Sequence, residues 1–460
     1  MHQRLIYIVI SFLFFHISVN AQVSDTTLFS PEELEEDADY FFEFLNERHP
    51  DPYYYCGMEE FELKKSLLYK QFDHPMTKMQ FIEAMSTMNS CLDSHTNSNF
   101  DLLGLYMSRE VERLQNGEQL MIIPLFLKIK DGYLYTPSID SSDVKLLFIN
   151  KVDTREIVNK LKSLMENQSV SFINYAVATI APALLKPLFD IEPPYMVEYM
   201  KDGKKENKKL ENISLPKPTE KEEGEGEGEG EKAKEEKQSP IYYKVYPQSS
   251  TAILYLRTFE ETIAKAENLE AKMKMFSDSL RLHKIKNLFI DVSKNGGGQY
   301  TTTYQIFDYL KHDTVFVKCS KVDKLSEGGN EYTPYSKEVI RLPRSDKTFH
   351  YENLFVLQGT VTYSCGDLFC RIIAQNNLGT LIGSSTSTFT KDFGNIWGNE
   401  PPVLPNTKIE IRCPSSFWDF SADFDTETLE PDMYWQTDYK MEFSEEELVD
   451  MIKQVKEMGK

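Results

Sequence analysis

Residues 354–367 read LFVLQGTVTYSCGD. The run Leu354 to Leu357 has the make-up of a short buried strand. Gln358 to Tyr363 follow as a loop. A helix is predicted over Cys365 to about Gln375, with Ser364 at its mouth. Free backbone N–H groups and the dipole at a helix N-terminus can hold a developing negative charge, so a serine there is placed to act as a nucleophile. The same serine can be a plain N-cap, with Asp367 at N3. Local sequence leaves both open.

The flanking pattern supplies the fold class. Thr251 to Leu256 and Asn287 to Val292 are predicted strands, with predicted helices at about Ile263–Leu282 and Tyr300–Lys311. Thr380-Leu381-Ile382 follows the Ser364 helix. Strands alternating with helices give α/β layers around a largely parallel sheet. Upstream, residues 30–92 read as helical. Ser30-Pro31-Glu32-Glu33 and Thr77-Lys78-Met79-Gln80 are capping boxes, and their Phe and Met stripes are core faces. Ser444-Glu445-Glu446-Glu447 is a third box, opening the last helix. Between them, residues 120–200 mix helix (about Thr154–Met165) with predicted strands at Met121–Ile123, Tyr133–Tyr135 and Lys145–Asn150.

The chain has 460 residues, 41% hydrophobic, enough for two or three domains with ordinary cores. Its formal net charge of −21 argues against nucleic acid or an anionic membrane surface as partner. MHQRLIYIVISFLFFHISVNAQ combines Arg4, an apolar run from Leu5 to Phe15 and Ala21 in the pattern of a signal peptide, with cleavage expected before Gln22. No later stretch reads as apolar enough to cross a bilayer, so the mature protein is expected to be periplasmic or secreted. Six cysteines in that part permit disulfides without specifying pairs. No metal-ligand pattern is present in the sequence and no cofactor is expected. Residues 201–239 are almost devoid of apolar side chains, with Gly-Glu alternation, and read as a disordered insertion.

A serine nucleophile needs a base and an oxyanion site. Among the histidines beyond the leader, His95 stands out. It lies in Cys91-Leu92-Asp93-Ser94-His95-Thr96-Asn97, ringed by small polar residues, with Asp93 or Ser94 available to orient the ring. A surface histidine is the plainer reading. Asn295-Gly296-Gly297-Gly298 directly follows the Asp291 strand, where glycines can present N–H groups inward or simply make a turn. No Gly-Lys-Ser/Thr follows, which excludes a phosphate loop. Cys365 is an alternative nucleophile, one residue on.

Together these motifs resemble one family, the S41 serine peptidases, which include the C-terminal processing proteases. NLFIDVSKNGGG (287–298) is similar to the family's strand-plus-glycine motif, with Ser293 where an arginine is usual. Ser364-Cys365-Gly366-Asp367 is similar to its Ser-x-x-Glu nucleophile segment, with Asp367 for the glutamate. Leu381-Ile382-Gly383, Pro405-Asn406 and Glu430-Pro431-Asp432 match later elements, and His49-Pro50 and Leu92 to Thr96 match upstream ones. Processing-type members place a lysine about 25 residues past the serine, which here is Phe389, with Lys391 displaced. The resemblance therefore implies a Ser-His peptidase with Ser364 as nucleophile, His95 as base, and backbone N–H groups of Gly296, Gly297, Gly298 and Cys365 as oxyanion donors. Asp93 and Asp367 are implied orienting or structural residues.

The implied fold is a crotonase-like (ClpP/S41) α/β catalytic domain at 240–460. It follows the leader (1–21), a helical domain (22–118), a mixed α/β region (119–200) and the insertion (201–239). No complete PDZ-like module is legible; at most a divergent fragment of one fits 119–200. The implied substrate is a polypeptide. A catalytically silent peptide-binding relative and an exported Ser-His esterase remain as alternatives.

Overall fold

The computed structural model describes residues 26–139, 142–165, 167–213, 239–310, 314–325, 328–341, 348–396 and 401–459. The expected signal peptide and most of the expected insertion lie outside them. The chain forms two compact units. The first holds the described residues up to 213 together with returns within 324–329 and 395–416. The second holds the rest. The architecture is mixed α/β, with eleven α-helices and several sheets among the described residues.

The second unit is built on a six-stranded sheet. Its order is Met433–Tyr434, Thr380–Gly383, Asn353–Gln358, Asn287–Asp291, Thr251–Leu256, Ile241–Tyr246. All neighbours run parallel except the last pair. Register aligns Leu254 with Ile290, Ile290 with Val356 and Val356 with Leu381. Side chains alternate across the pleat. Leu254, Ile290 and Val356 face a core with Phe276, Phe307, Phe369 and Ile373 from three helices. Ile253, Phe289, Phe355 and Leu357 face the other way, onto Leu448, Met451 and Val455 of the Glu445–Glu457 helix. Cover on both faces is why these strands read as unbroken apolar runs. The loops after Asn287–Asp291 and Asn353–Gln358 leave the carboxyl end of neighbouring strands, and this brings the glycine loop and Ser364 together.

The first unit packs Phe41, Phe42, Phe61, Phe81 and Phe100 into a helical core. All three capping boxes form, with reciprocal bonds at Ser30, Thr77 and Ser444. Beside it, a sheet ordered Lys128–Lys130, Tyr133–Thr136, Val144–Ile149, Tyr195–Lys201, Lys204–Leu210 carries its own core.

Four sequence expectations are corrected. Met121–Ile123 is not a strand: its backbone pairs irregularly, Ile123 N–H to Pro182 carbonyl and Ile213 N–H to Ile122 carbonyl. Lys204–Leu210, assigned to the insertion, is a strand paired over seven residues with Tyr195–Lys201. Asp202 and Gly203 turn the chain at positive φ, and edge pairing through the backbone needs few apolar side chains. The Val170–Phe189 helix is long and apolar enough to cross a membrane by length and composition. Tyr175 to Leu185 are instead buried in this unit's core. Finally, residues 395–416, expected within the catalytic domain, belong to the first unit. Leu404, Ile409, Ile411 and Cys413 join its helical core, and Asp37 accepts the Asn406 and Thr407 N–H groups.

Candidate active site

Ser364 opens the Cys365–Gln375 helix with φ 51° and ψ −120°, and its side chain makes no capping bond. This geometry separates the two local readings. A capping serine has extended backbone and turns its hydroxyl onto the N2 or N3 N–H. Here the backbone holds a sparsely populated conformation, of a kind that clusters at functional sites. Ser364 N–H donates to Thr388 Oγ1 at 2.7 Å, and the Cys365 N–H bonds no described residue.

The glycine loop lies against this turn. Tyr363 N–H donates to the Asn295 carbonyl at 3.1 Å. A Cβ on Gly297 would stand 2.9 Å from Ser364 Cβ and 3.3 Å from Cys365 N; one on Gly366 would stand 2.5 Å from the Asn295 carbonyl oxygen. Only glycine permits both approaches. Asn295 itself is locked: its Oδ1 accepts Gly297 N–H at 2.9 Å and its Nδ2 donates to the Leu256 carbonyl at 3.1 Å. Of the four expected oxyanion donors, Gly297 is thus already committed, because the asparagine side chain closes a local turn on it. Gly298 N–H faces Cys365 Sγ. Gly296 and Cys365 keep N–H groups without a partner among the described residues. Burial pushes the Cys365 thiol up to about 12, with bonds from Thr303, Ser364 and Gly298 offsetting part of it. Burial therefore disfavours its thiolate, the nucleophilic form.

Asp367 is buried in an ion pair. Arg371 Nε donates to Asp367 Oδ2 at 2.6 Å, one turn along the helix, with both side chains buried. Thr386 Oγ1 donates to Asp367 Oδ1 at 2.5 Å. Burial raises the Asp367 carboxyl above its ordinary value, against the lowering effect of Arg371 and Thr386. Arg371→Leu strands that carboxyl and is expected to destabilise the protein by roughly 3–5 kcal/mol, the usual loss on breaking a buried pair; denaturant unfolding measures it. Beneath the glycine loop, Asp291 pairs with Arg257 at 3.0 Å. Lys294 donates to the Thr437 and Asp438 carbonyls, and burial brings its ammonium down to about 8, against the raising charges of Asp438 and Asp291.

In the first unit, Asp93 stands between two histidines. Its Oδ1 accepts the His95 and Thr96 N–H groups at 2.9 and 3.1 Å. Its Oδ2 lies 3.1 Å from His49 Nε2. Because His49 Nδ1 accepts the Asp51 N–H, Nε2 carries the proton toward Asp93. His95 Nδ1 is 3.9 Å from Asp93 Oδ1. Burial would raise the Asp93 carboxyl, but the His49 bond and both histidine charges hold it below the ordinary range. Burial lowers the His95 imidazole from 6.5; Asp93 pulls upward and His49 downward. The His95 side chain is 11% exposed and that of His49 3%. A Cys56–Cys91 disulfide ties the entry of the Gly57–Tyr69 helix to the turn just before Asp93.

The sequence reading omitted Arg371 and Thr388, and took His49 and Asn295 only as parts of motifs. The i,i+4 spacing of Asp367 and Arg371 was a usable signal, as was an asparagine before three glycines. Thr388 carried none.

Residues 250–396 match the family model of Peptidase family S41. Among solved structures it is similar to mature CPAF complexed with lactacystin, at 11% identity and TM-score 0.55 over 93% of this chain and 97% of that one. It is similar to mature CPAF at 11% and 0.53, over 87% and 92%. It is also similar to the photosystem II D1 C-terminal processing protease at 13% and 0.43, over 91% and 96%. At these identities the likeness to CPAF speaks to the fold. No curated protein sequence matches the chain.

Proposed function

We propose that this chain, with its match to the S41 peptidase family, is an exported serine endopeptidase. Ser364 forms the acyl-enzyme and His95 is general base. Ser364 Oγ attacks the scissile carbonyl carbon. His95 takes the hydroxyl proton and returns it to the leaving amine. Water, deprotonated by His95, then releases the acyl group. The Gly296 and Cys365 N–H groups hold the oxyanion. One observation carries the reading: Ser364 is fixed at φ 51° with its hydroxyl off the helix cap, beside an N–H that bonds none of the described residues. The layered sheet around it fits a crotonase-like arrangement. Export rests on the leader pattern and is supported by the Cys56–Cys91 disulfide, which belongs in an oxidising compartment.

A fluorophosphonate probe tests the serine chemistry: it labels the purified protein at one site, and unfolded polypeptide is cleaved faster than small acyl esters. Absence of labelling with retained peptide binding would support the silent alternative, and a preference for esters the esterase.

The pH profile tests the base. A base must be deprotonated, and His95 titrates below 6.5, so its neutral form persists into mildly acidic solution. The acidic limb of kcat/KM is expected below pH 6.5. A limb near pH 8 would instead match Lys294.

A further inference from the structure

The segment Thr386–Thr390 lines one side of the nucleophile turn. Ser387 N–H and Oγ both donate to the Thr362 carbonyl at 3.0 Å. Thr388 Oγ1 accepts the Ser364 N–H at 2.7 Å. The Thr388 carbonyl accepts Arg371 Nη2 at 3.3 Å, and Thr390 Oγ1 accepts Arg371 Nη1 at 3.4 Å while donating to the Thr426 carbonyl at 2.6 Å. Arg371 is fully buried and held by Asp367. The Thr388 hydroxyl is therefore the end of a fixed chain, Asp367 to Arg371 to Thr388, which terminates on the backbone of Ser364.

We propose that Thr388 is the positioning residue of the nucleophile: its hydroxyl holds the Ser364 N–H and so keeps Ser364 out of the capping conformation. This rests on Ser364 being the nucleophile. The competing state is simple. With extended backbone, Ser364 would turn its hydroxyl onto the Asp367 N–H and become an ordinary N-cap. That conformation carries no positive-φ strain, so something outside the helix must oppose it. Thr388 makes the only bond that the described residues show to the Ser364 N–H, and Arg371 restrains Thr388 from behind. Gly297 closes the far side, against Ser364 Cβ.

The test compares Thr388→Val, which keeps the shape and removes the acceptor, with Thr388→Ser, which keeps the acceptor. Thr388→Val is expected to slow fluorophosphonate labelling and kcat about 10²-fold, the scale of a misplaced reacting group, with KM within about twofold. Thr388→Ser restores both. Crystal structures of the two variants supply a readout that does not need turnover: Ser364 φ turns negative in Thr388→Val and stays positive in Thr388→Ser. Wild-type kcat in Thr388→Val, or unchanged Ser364 φ, overturns the proposal, as does failure of serine to rescue. A wild type that takes no label overturns the peptidase reading instead, and the Ser364 conformation still decides what Thr388 does.

Discussion

Ser364→Ala folds as the wild type does, takes no fluorophosphonate, and loses turnover by about 10⁶-fold, the scale seen when a serine nucleophile is removed. The size follows from the proposed chemistry: alanine leaves the oxyanion donors intact but nothing to attack, so what remains is the background of 10³–10⁴ over water that binding and the oxyanion site sustain. The stability half of the prediction is as informative. A serine that caps a helix costs about 1 kcal/mol when cut to alanine. Ser364 makes no capping bond, and alanine meets the same backbone strain at φ 51°. The thermal midpoint is therefore expected to stay within about one degree. A protein destabilised by about 1 kcal/mol with its labelling intact would mean that Ser364 is the cap after all.

What could be read beforehand divides along a physical line. Strands such as Leu354–Leu357 and Asn287–Asp291 announce themselves because burial on both faces forces an unbroken apolar run. Capping boxes are legible because their partners sit three residues apart. The proximity of the glycine loop to Ser364 follows from parallel order, since both leave the carboxyl end of adjacent strands. The illegible parts depend on partners far along the chain. Lys204–Leu210 is polar because an edge strand can be held by its neighbour's backbone. Residues 404–413 leave the α/β pattern because their apolar side chains complete a core built by residues 34–105. The Cys56–Cys91 pair could not be chosen from six cysteines by spacing. Thr388 is an ordinary threonine until Arg371 and Ser364 are seen on either side of it. The commitment of Gly297 to Asn295 is likewise a matter of one side-chain rotamer.

His95→Gln is expected to reduce kcat nearly as far as Ser364→Ala does, with KM little changed, and the double variant to be no slower than either single one. Groups that act as one unit show this non-additivity, because removing either disables the same step. Glutamine is close in volume and cannot take a proton at neutral pH, so the loss reads the base and not a packing defect. Asp93 keeps its His49 partner at 3.1 Å in this variant, which protects the fold of the first unit. His49→Gln is the contrasting control. His49 is the more enclosed of the two rings and its Nε2 is turned to Asp93, so its loss weakens a buried carboxylate's support and lowers stability before it lowers kcat. Additive losses in the double variant would place His95 outside the step that Ser364 performs. Full activity in His95→Gln beside an inactive Ser364→Ala would move the base elsewhere. Lys294 would then be the first residue to test, since burial has already brought its ammonium to about 8.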